Sequence, residues 1–72
     1  MPSGLGLLSE RELEVFRLIG MGLKKSDLAL RLKLSVNTIE SHRTSMKKKL
    51  KVGSSSELTR LAVLHVEGKR DH

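Results

Sequence analysis

Histidine is the side chain best suited to proton transfer or metal ligation near neutral pH, and this chain has three: His42, His65 and His72. A metal site needs ligands converging at helical spacings such as i, i+4, and no two of these histidines pair that way. No nucleophile–base–orienter set accompanies His42, so it reads as a phosphate contact and not as a general base. His65 reads as a core or rim residue. Cysteine is absent, which removes thiol chemistry, disulfides and zinc ribbons. No glycine-rich loop precedes a basic residue to cradle a nucleotide, and the serines at 54–56 read as a helix-start linker. No catalytic residue, metal or cofactor is expected.

Charge points elsewhere. The 72 residues carry 14 Lys/Arg against 8 Asp/Glu, a net +6. Residues 1–32 contribute +1 (five against four), 33–51 contribute +5 (six against one, Glu40), and 52–72 balance three against three. A basic block confined to one window implies a polyanionic partner, nucleic acid or an anionic membrane surface. Phe16 is the only aromatic residue, which excludes modules that stack bases on several rings. No apolar run approaches the ~20 residues of a membrane span, and Gly4–Leu8 lacks the pattern of a signal peptide. A single cytoplasmic domain over 1–72 is expected, with a core at about 8–66 and flexible ends at 1–7 and 67–72.

Four helices are needed to position the basic window. Ser9 with Glu12 is a capping box opening a first helix whose inner stripe is Val15, Phe16, Leu18 and Ile19, ending near Met21. A short second helix through Lys33 packs Leu28, Ala29 and Leu32, with Lys33-Leu34 as the turn. Ser35 caps a third helix from about 36 to 50, with Val36, Ile39, Met46 and Leu50 inward. Ser54 and Glu57 form a second capping box for a last helix from about Ser56 to Val66, facing inward with Leu58, Leu61, Ala62 and His65. No stretch alternates as a strand does, so the fold expected is all-α, a compact four-helix bundle containing a helix-turn-helix.

At about 100° per residue, the side of the third helix opposite Ile39 and Met46 collects Asn37, Glu40, Ser41, Thr44 and Lys48. These side chains are able to hydrogen-bond base edges. Thr38, His42 and Lys49 lie on one shoulder, Arg43 and Lys47 on the other, as suits a helix between two phosphate ridges. A uniformly lysine-coated helix would not sort in this way.

Leu8-Ser9-x-Arg11-Glu12-x-Glu14-Val15, Ser35-x-x-Thr38-Ile39-x-x-His42-Arg43 and Lys49-Leu50 carry a resemblance to a known family. The stretch from about Leu8 to Val63 closely resembles the DNA-binding domain of the LuxR/FixJ/NarL family of bacterial transcription regulators. The resemblance implies that the second and third helices form the helix-turn-helix of a double-stranded DNA-binding domain. It implies base-edge contacts from Glu40, Ser41 and Thr44, to which the wheel adds Lys48. It implies backbone contacts from Thr38, His42, Arg43 and Lys47, to which the wheel adds Lys49. In this family the fourth helix commonly supplies a homodimer contact. Val63, Leu64 and Val66 are the candidates here; the alternative is that they cover the first helix or the terminal segment.

The chain departs from the family pattern at three places. Lys51 stands where glycine often ends the third helix, so the left-handed cap is either strained or moved towards Gly53. Leu30 and Met21 stand where charged residues are common; they read as scattered exposed apolar residues, or as a patch for RNA polymerase or a partner domain. Two other functions compete: a sigma-like promoter-recognition module of RNA polymerase, and a basic amphipathic helix for anionic membranes or an acidic partner. The capped fourth helix favours the first reading over the sigma-like one, and the third helix's narrow apolar stripe, needed for the core, argues against a membrane.

Overall fold

A computed structural model describes residues 5–70, with side chains to Gly68. A 3-10 turn at Leu5–Leu7 leads into α1 (Glu10–Gly20), α2 (Lys25–Leu32), α3 (Val36–Leu50) and α4 (Ser55–Arg70). Among the described residues there is no strand. α1 and α3 start where their capping serines place them. Ser9 Oγ accepts from Glu12 N–H at 3.1 Å, and the Glu12 carboxylate accepts from Ser9 N–H at 2.9 Å, closing the box at the head of α1. Ser35 Oγ accepts from Thr38 N–H at 3.1 Å and opens α3.

The second expected box forms only by half. Ser54 Oγ accepts from Glu57 N–H, but the Glu57 carboxylate reaches Gly53 N–H instead of Ser54. Two lysines close helices in the left-handed conformation, Lys33 and Lys51, both at φ 58°. Lys51 therefore takes the strained cap itself, with no shift towards Gly53. The next N–H in each case satisfies an orphan carbonyl, Leu34 to Ala29 at 2.9 Å and Val52 to Lys47 at 3.0 Å. Those bonds offset a conformational cost of about 1 kcal/mol per lysine.

α1 packs mainly on α4, and α2 on α3, with α3 also meeting α1. Phe16, Leu28, Ile39, Met46, Leu58 and Val15 are the largest fully buried side chains. His65 is half-buried, its ring centroid 5.6 Å from that of Phe16, which fits the core-rim reading. Leu30 and Met21 are exposed, as their positions implied.

Four expectations need correction. Leu5 is buried in the core cluster, so the packed unit begins before residue 8. α4 continues past Gly68 to Arg70 and does not end at Val66. Val36 is exposed, because its first-turn position lies over only the α2–α3 turn, beside Leu30 and Leu34. Leu61 is exposed because α4 meets the core along the Leu58–Ala62 line, leaving Leu61 at its edge. Residues 1–4 and His72 lie outside the described residues.

Gly20 marks the closest approach of α1 and α4. A Cβ placed there would lie 2.3 Å from the Ala62 carbonyl oxygen and 2.7 Å from Val66 Cγ2. Helix propensity alone favours alanine over glycine by about 1 kcal/mol. The overlap is with backbone, so packing should win. Gly20→Ala is expected to destabilise by about 2 kcal/mol and lower the thermal midpoint by roughly 10 °C. A thermal melt with an unchanged or raised midpoint would contradict this α1–α4 packing.

Candidate nucleic-acid interface

Ile39 and Met46 are fully buried, which fixes the rotation of α3 about its own axis. Asn37, Glu40, Ser41, Thr44 and Lys48 consequently face solvent. Glu40, Ser41, Thr44, Ser45 and Lys48 line one shallow open depression along the helix. Thr38, His42, Arg43, Lys47 and Lys49 are half-buried on its flanks. The two-shouldered arrangement expected from the helical wheel is therefore present in three dimensions. Ile39 and Met46, the middle of the apolar stripe, are sealed in the core.

Each flank residue has its own environment. Thr38 Oγ1 lies 2.9 Å from Ser35 Oγ and belongs to the cap of α3. Among the described residues the ion pairs are Arg11–Glu14, Lys25–Glu40 and Lys49–Glu12. Arg43, Lys47 and Lys48, clustered on one helix, form no salt bridge among the described residues. Lys49 has an acidic partner on another helix. Its ammonium sits 2.7 Å from the buried Glu12 carboxylate, committed to α1. This bond ties α3 to α1, and the Lys49 side chain stays partly exposed.

Glu12 is the buried acid of the described residues. Burial pushes its carboxyl up. Hydrogen bonds from Lys49, Ser45 and the Ser9 backbone, with the charge of Lys49, outweigh that and hold it at about 2. Glu40 is the opposite kind of acid, exposed and on the outward face. A hydrogen bond from Lys25, with the charges of Lys25, Arg43 and Lys47, outweighs desolvation and lowers its carboxyl below the usual range.

Lys25 and Ser45 were missed by the sequence reading. A lone acid in a basic window is a signal that some cation answers it, but spacing cannot say which one. Ser45 follows Thr44 on the wheel and betrays no link to α1.

The fold and this face together define a helix-turn-helix domain of the DNA-binding, transcription-regulating class. The family model for bacterial regulatory proteins of the luxR family matches residues 6–62, and the chain belongs to that family. It is 42% identical over 57 residues to the oxygen regulatory protein NreC of Staphylococcus epidermidis, covering 79% of this chain and 26% of that protein. It is 41% identical over 58 residues to the response regulator UvrY of Escherichia coli K12, covering 81% of this chain and 27% of that protein. The chain thus spans about a quarter of the length of these relatives. No solved structure matches it significantly. Among the described residues, no helix is long and apolar enough to cross a membrane.

The Glu12 carboxyl, held at about 2 in the folded chain against an ordinary 4.5, makes stability depend on pH. A depressed folded value means the contribution is complete above about 4.5 and is lost as pH falls towards about 2. It should amount to about 3 kcal/mol. Glu12→Gln is expected to forfeit this amount at neutral pH and to flatten the acid limb of urea-unfolding stability against pH. Identical acid limbs in wild type and variant would remove Glu12 from this role.

Proposed function

We propose that this chain binds double-stranded DNA in a sequence-specific manner, as the effector part of a bacterial transcription regulator acting in the cytoplasm. The names of the relatives support a response-regulator setting. In this reading α3 lies in the major groove. Glu40, Ser41, Thr44 and Lys48 face base edges, and Thr38, His42, Arg43 and Lys47 meet the two backbones. The observation that carries the reading is the burial of Ile39 and Met46, which leaves the polar side of α3 outward with basic side chains on its flanks. Lys49 contributes by anchoring α3 to Glu12.

A homodimer through α4 is the second part of the proposal, on a surface different from the one the sequence implied. Val66 packs on Gly20 of α1, and Val63 is half-buried. Leu64 is exposed beside the exposed Leu61, and both border a groove with Val52, Glu57 and Arg60. Leu61 and Leu64, one helical turn apart, are the apolar pair offered to a second copy. Two copies joined there would set half-sites about one DNA turn apart.

Titration of duplexes selected from a random pool tests both parts. With about four to six phosphates neutralised per protomer, log K should fall against log salt with a slope near −4 to −5. Arg43→Ala and Lys47→Ala should weaken all sequences alike, whereas Thr44→Ala should relax preference at one position by ~1–3 kcal/mol. An unaltered preference in Thr44→Ala would refute the assigned reading face.

Leu64→Glu should weaken binding to paired half-sites while sparing a single half-site. Equal losses on both DNAs would refute the α4 contact.

A further inference from the structure

Lys25 and Glu40 join the start of α2 to the outward face of α3. Their side chains are 47% and 48% exposed, so the pair stands in solvent and contributes little to stability. Its location gives it significance. Glu40 shares the depression lined by Ser41, Thr44 and Lys48, and it is the one acid in residues 33–51. A carboxylate entering a DNA groove meets a field of phosphates, and only a base amino group such as cytosine N4 offers it a donor. Until such a donor is reached, Lys25 supplies one. The same ammonium stands at the edge of a surface whose task is to neutralise phosphates. These two groups therefore have two satisfied arrangements: bonded to each other, or bonded to a base and a phosphate.

We propose that the Lys25–Glu40 pair is a specificity device, kept intact on wrong sequences and exchanged on the right one for a Glu40–base bond and a Lys25–phosphate contact. This inference rests on the DNA-reading role proposed for α3. On a wrong sequence, opening the pair would strand Glu40 among phosphates without a donor. The pair therefore persists, and the charge of Lys25 is cancelled inside the protein. On the right sequence the base amine replaces Lys25 at the carboxylate. The freed ammonium neutralises one more phosphate and releases its counterions. Base recognition is thereby coupled to electrostatic affinity. Glu40 is ionised in both arrangements, so the exchange moves no proton. Lys25 is a positioning residue for Glu40 in the first state and a backbone contact in the second.

The test is the salt dependence of binding to two duplexes, one selected from a random pool and one of scrambled sequence. Wild type, Glu40→Ala, Lys25→Gln and the double variant are compared. Glu40→Ala should bind the scrambled duplex several-fold more tightly, with a salt slope steeper by ~0.9, and lose about tenfold in discrimination. Lys25→Gln should leave the scrambled slope unchanged and make the selected slope shallower by ~0.9. Once Glu40 is alanine, adding Lys25→Gln should weaken both duplexes alike. Thermal midpoints should stay level across the set, which separates these effects from folding.

A Lys25→Gln slope change equal on both duplexes, or absent from both, would overturn the exchange while leaving DNA binding intact. Wild type binding neither duplex in dilute salt would overturn the DNA reading itself, a result distinct from either.

Discussion

One buried carboxylate connects the two ends of the architecture. Glu12 caps α1 through the Ser9 N–H and anchors α3 through Lys49 and Ser45. Hydrophobic burial is non-directional, so Ile39 and Met46 alone would tolerate small slides and rotations of α3 over the core. A charge-assisted hydrogen bond of defined length does not. Breaking the pair from the lysine side would leave a buried carboxylate short of a donor, which makes alternative settings of α3 costly. The attitude of α3, and with it the direction its polar face looks, depends on this contact.

The remainder of the fold suits a small core that has little area to spare. α1 and α4 compensate by approaching until the Gly20 position has no room for a side chain. The two lysine caps accept unfavourable backbone angles so that α2 and α3 end abruptly and the connecting turns stay short. Short connections keep α2 and α3 in a fixed relation, which is what a helix-turn-helix requires.

The electrostatics divide into three kinds of cation. Lys49 is structural, tied to a buried acid. Arg43, Lys47 and Lys48 form no ion pair among the described residues. Lys25 is held by an exposed acid on the outward face of α3. Net charge treats all of them alike. The difference between them arises from which carboxylate the fold sets beside each one.

Local information sufficed for much of this protein. Ser9, Glu12 and Ser35 announce their helices because caps act over three residues, and the wheel of α3 is right at Ile39, Met46, Ser41 and Thr44 because a helix turns the same way wherever it lies. It misled at Val36 and Leu61, where the pattern says apolar but the neighbouring helix does not reach. Val66 lies against Gly20 of α1, the alternative the sequence left open. The Lys49–Glu12 pair spans 37 residues and Lys25–Glu40 spans 15. The sequence by itself therefore determined four helices, their polar and apolar sides and a basic third helix, since each is set by near neighbours along the chain. Tertiary structure alone decided which lysine is bound and which is free, because a salt bridge forms over a few ångströms of space and takes no account of distance along the backbone.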